Sequence, residues 1–251
     1  MKGNATRKVK VFTLLNLVFA LALAAGCSGS SSPGDGGTDA GTDGGGDGEK
    51  FCPATMTDLS GLAGTVHEDP ITQDTTWTAE DSPHIVSKGN THLNITGATL
   101  TIEPCAVVLL DPESGIKVSG GGSLVADGTA SEPIRFGRNG SDPWQDLVIE
   151  KDSHAVLHEV TLEGGGSNAT GSYSGATLVA LGPTDRQYVA NVEVRNLTVR
   201  DSQGLGVLMR RHTAFVQGSS GLVISGSGAA SSQGAAPWPI QIDIEAASTL
   251  P

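Results

Sequence analysis

Short apolar runs recur along the chain from about Thr65 onwards, and Gly, Asn, Asp or Pro closes each run. Apolar and polar residues alternate within the runs, which are three to six residues long and rich in β-branched side chains. Alternation with a period of two is typical of β-strands, and no segment has the apolar spacing of a convincing amphipathic helix. The pattern therefore predicts strands at 84–86, 93–95, 99–102, 106–110, 115–118, 123–126, 133–136, 146–149, 155–157, 160–162, 176–181, 189–194, 197–199, 206–209, 214–216, 222–224 and 239–244.

Two architectures accommodate so many short strands: a sandwich or barrel, and a β-solenoid. Three features favour the solenoid. The strands are shorter than the roughly five to six residues common in globular sheets. Aromatic residues make up only 4% of the chain, whereas sandwich cores usually rely on a buried Trp or Tyr. Gly and small polar residues crowd the turns, and strands this short bury their apolar side only when successive coils stack.

Four segments share this turn and core pattern: Ala98-Thr-Leu-Thr-Ile-Glu-Pro-Cys-Ala-Val-Val, Ser119-Gly-Gly-Gly-Ser-Leu-Val-Ala-Asp-Gly-Thr-Ala-Ser-Glu-Pro-Ile-Arg-Phe, Trp144 with Leu147-Val-Ile, and Val160-Thr-Leu-Glu-Gly-Gly-Gly. They resemble the coils of bacterial right-handed parallel β-helix proteins with the pectin-lyase-like fold. The resemblance extends from about Ile71 to Ile244. It implies an all-β chain with an N-terminal cap region over 51–80 and a parallel β-helix over 81–251.

The N-terminus has the three parts of an export signal. Four positive residues precede an apolar run from Val11 to Ala25, and small residues lead directly into Cys27. The run is shorter than the roughly 20 residues of a spanning helix, so a retained transmembrane anchor is the weaker interpretation. Leu23-Ala24-Ala25-Gly26-Cys27 resembles the lipobox of bacterial lipoproteins. This resemblance implies a signal peptide over 1–26 and lipid on Cys27, and an ordinary signal peptide with a spare thiol is the alternative.

The segment 27–50 contains Ser, Gly, Thr and Asp with almost no apolar residue. It cannot bury enough surface to offset its ordering entropy, so we expect a flexible tether that its acidic charge keeps extended. Its aspartates lack the spacing of an EF-hand, and this argues against calcium binding. Ser28, rather than an aspartate, follows the cysteine. By resemblance to the lipoprotein sorting rule, this predicts an outer-membrane lipoprotein of the cell envelope, either periplasmic or surface-exposed.

Charge excludes one class of partner. The signal holds four of the fifteen Lys and Arg residues and no acidic residue, so eleven positive side chains face twenty-seven negative ones in the mature chain. A net charge of −16 makes nucleic-acid binding unfavourable, because phosphates would be repelled. About 200 residues follow the tether, which is enough for one substantial domain.

Three cysteines in an exported protein leave one unpaired unless lipid consumes it. With Cys27 acylated, Cys52 and Cys105 remain as a pair that an oxidising compartment allows to bridge. Two separate buried cysteines are the alternative. Cys105 also stands where the resembled coils commonly have glycine, which supports a local disulfide that pins the N-terminal cap over the first coil.

The sequence offers little evidence of catalysis. Hydrolases of the resembled family carry closely spaced aspartates, an Asp-Asp pair and a Gly-His-Gly, and this chain has none of them. Lyases need calcium-binding acids and an arginine base on one face, for which the nearest candidates are Glu193, Arg195, Arg200 and Asp201. Alternation places Glu193 and Arg195 outward, and a solvated ion pair is the favoured interpretation.

Histidine and cofactor motifs are equally unconvincing. His154 and His158 are four residues apart, with Glu159 adjacent, but they lack the helix and spacing of a zinc motif, and we expect a solvent-facing turn there. No Walker loop, dinucleotide fingerprint or nucleophile elbow is present. We therefore expect neither a metal nor a cofactor.

Aromatic residues provide the candidates for glycan contact. Trp77, Trp144 and Trp238 would stack on sugars if they were exposed, but plugs between coils and loops are the favoured role. Tyr173 and Tyr188 flank a Gly- and Ser-rich excursion loop at 164–175, and such loops often form the binding face of a solenoid. Trp77, Trp144 and Tyr173 are the possible glycan contacts.

These observations favour a lipid-anchored envelope β-helix with a non-catalytic role in surface display, adhesion or glycan binding. A polysaccharide lyase or hydrolase and a structural fragment of a longer envelope protein are the alternatives. Expected partners are the membrane, through lipid on Cys27, and a polysaccharide or cell-surface ligand. Few apolar residues follow 240–244, so we also expect an open last coil around Ile240, Ile242 and Ile244 that favours self-association.

Overall fold

The computed structural model describes residues 52, 63–167, 173, 175–185, 189–228 and 239–242. The chain divides into two units, Met1–Gly48 and Glu49–Pro251, and every described residue belongs to the second unit. The predicted signal peptide and nearly all of the predicted tether thus fall in the first unit, and both lie outside the described residues.

The described residues form nineteen short β-strands and no helix. The strands are β1 (Thr65–His67), β2 (Thr75–Trp77), β3 (His84–Val86), β4 (His92–Thr96), β5 (Thr99–Ile102), β6 (Val107–Leu110), β7 (Gly115–Ser119), β8 (Ser123–Asp127), β9 (Ile134–Arg138), β10 (Leu147–Ile149), β11 (His154–His158), β12 (Val160–Glu163), β13 (Leu178–Leu181), β14 (Val189–Arg195), β15 (Thr198–Arg200), β16 (Val207–Arg210), β17 (Thr213–Phe215), β18 (Val223–Ser225) and β19 (Ile240–Ile242).

Three parallel sheets result from the way the chain coils. Sheet A has the order β1-β3-β6-β9-β12-β15-β18, sheet B β4-β7-β10-β13-β16-β19, and sheet C β2-β5-β8-β11-β14-β17. From β2 to β16 each strand pairs in parallel with the third strand after it, so the chain visits sheets B, C and A once per coil. This arrangement confirms the predicted all-β parallel solenoid.

Coil length varies although the register is continuous. Leu93 pairs with Ile116, 23 positions later, whereas Ala155 pairs with Val192, 37 positions later. The extra residues lie in loops between strands, because the paired strands themselves stay three to seven residues long. Loops therefore change the length of a coil without disturbing the stacking.

Apolar side chains form columns that run through the interior. Alternate residues of each strand point inward and stack on their register partners in the next coil. Each fully buried Leu or Ile stabilises the fold by roughly 1.5–3 kcal/mol relative to exposure. The columns include Leu93, Ile116, Leu147, Leu178 and Val207 in sheet B, Leu100, Leu124, Ala155 and Val192 in sheet C, and Val108, Phe136, Leu162 and Val199 in sheet A, and all of these are buried.

Cys105 occupies a turn that also carries the disulfide. Its φ of 70° lies in the left-handed region that favours glycine. Cys105 is bonded to Cys52, 53 residues earlier, and their Cα atoms are 4.8 Å apart. The predicted disulfide is confirmed.

The first coil ends in a stack of three rings. The ring of His67 lies on Trp77 with centroids 4.2 Å apart, and Trp77 lies on His84 with centroids 5.1 Å apart. His67 Nε2 is 3.1 Å from His84 Nδ1. Burial and the neighbouring His84 lower the pKa of His67 to about 4, and burial also lowers the pKa of His84. The neutral rings therefore cover this end of the core.

Residues 63–80 fell in the predicted cap region, where we expected no strand. They contribute β1 to sheet A and β2 to sheet C, so the described part of this region continues the solenoid sheets. At the other end, Ile240 and Ile242 are partly buried and pack against the core. Ile244 lies outside the described residues, and the open last coil stays a prediction.

Candidate functional site

The outer face of sheet B carries polar side chains that have partners in neighbouring coils. Residues between the inward apolar positions of a strand point away from the core. We call one group of them the sheet B site, and it consists of His92, Lys117, Asp146, Glu150 and Tyr173. His92 lies on β4, Lys117 on β7, and the two acids directly flank β10, whereas Tyr173 comes from the segment between β12 and β13.

A hydrogen bond between an imidazole and a carboxylate forms the centre of this site. Nε2 of His92 lies 2.6 Å from Oδ1 of Asp146, and the two residues are 54 positions apart in the sequence. Only 1% of the Asp146 side chain is exposed, compared with 18% of the His92 side chain. The bond therefore connects a buried acid to a ring at the surface.

Gly115 makes this contact possible. It is the register partner of His92 on β7, the strand between β4 and β10. A Cβ at position 115 would lie 2.6 Å from Cδ2 of His92 and 2.8 Å from the backbone oxygen of Asp146. Both distances are well below van der Waals contact. The ring reaches Asp146 because residue 115 has no side chain.

Asp146 is held in an environment that disfavours its charge. Burial raises the pKa of Asp146 above its usual value, and the hydrogen bond and charge of His92, together with Lys117, oppose the shift. A raised carboxyl pKa means that folding is less favourable once this group is ionised. Such groups are concentrated at functional sites, where stability is sacrificed to position a charge.

An ion pair borders the centre of the site. Nζ of Lys117 lies 2.6 Å from Oε1 of Glu150, and both side chains are about one third exposed (31% and 35%). Lys117 points outward from β7, and Glu150 follows β10 directly. The pair therefore links two adjacent coils and compensates both charges at the surface.

An apolar floor continues the same face into later coils. The outward residues Val148, Val179 and Leu208 are register neighbours and are completely or almost completely buried. Tyr173 packs against the cluster to which they belong. Outward residues are buried only when other chain segments cover them, so this part of sheet B lies beneath a covering layer.

Tyr173 lies at the boundary between that floor and the charged groups. It is half-buried, and burial is the main reason that the pKa of its phenol is raised. The charges of Lys117 and Asp146 act on the same phenol in opposite directions, as do those of Arg210 and Glu150. The aromatic ring and the polar groups of the site therefore occupy one continuous region.

The start of the excursion loop is fastened to the same side of the molecule. The backbone N–H of Gly166 donates to the carbonyl of Gln145 at 2.7 Å, and that of Ser167 donates to the carbonyl of Trp144 at 2.9 Å. The hydroxyl of Ser167 also donates to Glu113 at 3.1 Å. Within the predicted loop, 168–172 and 174 lie outside the described residues.

The tryptophans do not offer a sugar-stacking surface. Trp77 and Trp144 are both buried, and Nε1 of Trp144 donates to the carbonyl of Glu163 at 2.8 Å. Neither ring therefore offers an exposed face to a glycan in this structure. Tyr173 is the remaining member of the predicted set, while Trp238 and Tyr188 lie outside the described residues.

The outer face of sheet C carries a second group, the sheet C cluster: Asp127, His158, Glu193 and Arg195. Nδ1 of His158 lies 2.9 Å from Asp127, and its Nε2 lies 3.1 Å from Glu193. Nη2 of Arg195 lies 3.3 Å from the same Asp127 oxygen. Glu193 and Arg195 point outward on β14, as predicted. Glu193 contacts His158 on β11, and Arg195 contacts Asp127 on β8.

The predicted turn around His154 and His158 is wrong. Both residues lie on strand β11, and His158 is buried between side chains of the neighbouring strands. The sequence interpretation missed this because a histidine on an outward position was taken as solvated. No group of His, Cys, Asp and Glu within the described ranges could hold a metal ion.

The lyase candidates do not converge. Arg200 lies on the outer face of sheet A, where its guanidinium donates to Glu163 at 2.6 and 3.0 Å. Asp201 lies in the turn after β15 with a φ of 54°. Glu193 and Arg195 lie on sheet C, so the four residues are divided between two faces and a turn. Arg195 and Arg200 form ion pairs with Asp127 and Glu163, which are outside the predicted set.

Sequence reasoning missed the centre of the sheet B site. His92 looked isolated, and Asp146 looked like the first residue of an apolar strand. The signal was weak because the two residues meet across an intervening coil whose length the sequence pattern does not reveal. A glycine at the first position of a predicted strand was the one available hint, since glycine in a strand often marks a close approach. Cys27, the predicted lipidation site, lies outside the described residues.

No protein-family model matches this chain, and neither a curated protein nor a solved structure matches it. Within the part of the chain that the structure describes, no helix has the length and apolar character needed to span a bilayer.

Proposed function

We propose that this chain is a lipid-anchored protein of the cell envelope whose β-helix binds a glycan on the outer face of sheet B. The observation that carries the binding proposal is the position of Tyr173. Its half-buried ring lies close enough to Lys117, Asp146 and Glu150 for their charges to act on its phenol, so an aromatic surface adjoins the polar groups of the sheet B site. Binding sites combine apolar surface with a few fixed polar groups in this way.

The chemistry of sugars fits this combination. Sugar rings have apolar C–H faces that pack on aromatic rings, while their hydroxyls donate and accept hydrogen bonds. Tyr173 would provide the aromatic contact, and Lys117 and Glu150 would bond hydroxyls. Lys117 on strand β7 and Glu150 at the end of strand β10 are held by the solenoid framework, so these groups lose little conformational entropy when a ligand binds.

The envelope part of the proposal is supported by the N-terminal sequence. The signal 1–26 ends in Leu-Ala-Ala-Gly before Cys27, and the acidic tether would hold the domain away from the membrane. Each buried methylene of an acyl chain contributes about 0.8 kcal/mol to membrane affinity, so several chains on one cysteine anchor stably. The disulfide between Cys52 and Cys105 suits an oxidising compartment.

A glycan array with parallel product analysis on polysaccharides tests the binding proposal. We expect binding without cleavage, and at least a tenfold loss of affinity in Tyr173→Ala. Val223→Ala, at an exposed apolar residue on sheet A, is the matched control and should bind as the wild type does. Cleavage products would instead support the lyase or hydrolase alternative, and the absence of any bound glycan would contradict the proposal.

Membrane fractionation tests the anchor. Cys27→Ser should release the protein into the soluble fraction after a high-salt wash and should abolish lipid labelling. The double variant Cys52→Ser/Cys105→Ser removes the other two cysteines and should remain with membranes. Retention of Cys27→Ser in the membrane fraction would contradict the lipoprotein assignment.

A further inference from the structure

We propose that Asp146 holds His92 in the tautomer whose Nδ1 is a hydrogen-bond acceptor, and that the sheet B site thereby selects an uncharged, hydroxyl-rich glycan. The inference rests on the proposed glycan binding and specifies its ligand. It also makes a claim about His92 that can be measured without any ligand.

The tautomer follows from the buried hydrogen bond. Burial disfavours the ionised form of Asp146, whereas its hydrogen bond with His92 and the charge of Lys117 favour that form. An ionised carboxylate only accepts hydrogen bonds, so with Asp146 ionised the proton between the two groups belongs to Nε2 of His92, 2.6 Å from Asp146. A neutral imidazole then has a lone pair on Nδ1. Among the described residues no group is hydrogen-bonded to that nitrogen. The side chain is 18% exposed, so a ligand hydroxyl can reach the ring.

The geometry shows that this orientation is built into the coil. His92 extends across Gly115 to reach an acid in the second coil above its own. The ring position is fixed at one edge by the buried acid and from below by the bare backbone of Gly115. A histidine that only covered the surface would need neither the glycine nor a buried carboxylate.

The charge balance around the ring identifies the class of glycan. Lys117 is already paired with Glu150 at 2.6 Å, and Arg210, which influences Tyr173, also has a partner. The described residues of this face therefore present no unpaired cation to a carboxylate or sulfate group. The mature chain carries a net charge of −16, which repels acidic polysaccharides over a longer range. A neutral glycan avoids this repulsion, and one of its hydroxyl groups can donate a hydrogen bond to Nδ1.

Asp146→Asn is the decisive variant, because the amide has the shape of the carboxylate but can donate a hydrogen bond where the carboxylate only accepts one. The amide of Asn donates to Nε2, so the ring proton moves to Nδ1, and the site then presents a donor where it presented an acceptor. We expect nitrogen NMR of the imidazole rings to show the Nε2–H form of His92 in the wild type and the Nδ1–H form in Asp146→Asn. His92→Gln identifies the His92 signals in the spectra.

Binding measurements complete the test. With neutral and uronate-containing oligosaccharides as probes, the wild type should bind the neutral ones, and Asp146→Asn should lose about tenfold in affinity for them. Asp127→Asn is the matched control, because Asp127 is also bonded to a histidine but lies on sheet C. This variant should bind as the wild type does. Thermal melting checks that both variants fold.

The two proposals fail in different ways. A wild-type His92 protonated on Nδ1, or a preference for the uronate probes, would overturn this inference while leaving glycan binding intact. If no oligosaccharide bound, the proposed function itself would fail, and the ligand assignment would fail with it.

Discussion

Two histidines on different outer faces make contacts of the same kind with different consequences. His158 on sheet C bonds Asp127 and Glu193 through both ring nitrogens, and those acids are 58% and 39% exposed. His92 on sheet B bonds one acid, Asp146, which is 1% exposed. On sheet C the ring is buried and its acids face water, whereas on sheet B the acid is buried and the ring reaches the surface.

The difference separates a structural group from a binding group. His158 has no ring nitrogen left for a ligand, and its bonds connect three successive coils, β8, β11 and β14. Asp146 has a raised pKa, so its ionised form costs folding free energy rather than contributing it. Substitution of His158 should therefore affect stability, and conservative substitutions in the sheet B site should affect binding.

Gly115→Val should have the largest effect. The added side chain would collide with His92 and with the backbone of Asp146, and it would also displace the imidazole from its partner. Overpacking and the lost charged hydrogen bond together should cost about 3 kcal/mol of unfolding free energy, measured by urea denaturation, and glycan binding should disappear. Ser119→Val, on the same strand and the same face, should stay within about 0.5 kcal/mol of the wild type. Equal effects of the two variants would mean that position 115 has no special role.

His158→Ala should reduce stability without reducing glycan binding. It removes two hydrogen bonds and leaves two carboxylates facing each other, so we expect a loss of about 1–3 kcal/mol in urea denaturation. His154→Ala is a matched control, because this histidine lies on the same strand with its side chain also outward. It should change stability by less than about 0.5 kcal/mol. A large loss of glycan binding in His158→Ala would undo the distinction between the two faces.

A third histidine, His67 on β1, has no acidic partner in its ring stack. We expect it to make the stability of the fold sensitive to acid. Its pKa is lowered to about 4, below the value of 6.5 expected in the unfolded chain. The unfolded state therefore binds more protons between these two values, so stability rises with pH across this window and is lost as pH falls through it. Unfolding free energies measured by urea denaturation between about pH 7 and pH 4 should depend less steeply on pH in His67→Gln than in the wild type. The same pH dependence in both proteins would mean that folding does not lower the pKa of His67.

Arg195→Ala should have the smallest effect. Its guanidinium lies 3.3 Å from Asp127, and both side chains are more than half exposed. Exposed ion pairs typically contribute about 0–1 kcal/mol, so we expect a change of less than about 0.5 kcal/mol and unchanged glycan binding. A loss of more than about 1 kcal/mol in denaturation would show that the sheet C cluster acts as one cooperative unit.

The fold was predictable because its signals are local. The predicted strands at 84–86 and 99–102 coincide with β3 and β5, and most others agree within a few residues. Inward positions must be apolar in every coil, so the alternation repeats along the whole chain. β1 and β2 were not predicted, because their residues, Thr65–His67 and Thr75–Trp77, lack that alternation of aliphatic side chains.

The candidate site was not predictable in the same way. Tyr173 was identified because a tyrosine beside a Gly-rich loop is visible in the sequence. The contact between His92 and Asp146 depends on which outward residues come into register, and that depends on coils that differ in length by more than ten residues. A histidine and an aspartate 54 positions apart carry no local signal of their contact.

From the sequence alone, short strands with apolar inward positions could be predicted, and a solenoid and a bridge between Cys52 and Cys105 were the favoured interpretations. Hydrophobic burial and chain connectivity impose the strand pattern and the stacking, and both leave a repeat that is visible along the sequence. Which histidine bonds a buried acid, which one joins coils, and which tryptophans are buried follow only from the folded structure. These outcomes depend on register between coils, because a shift of one residue reverses which side chains face outward.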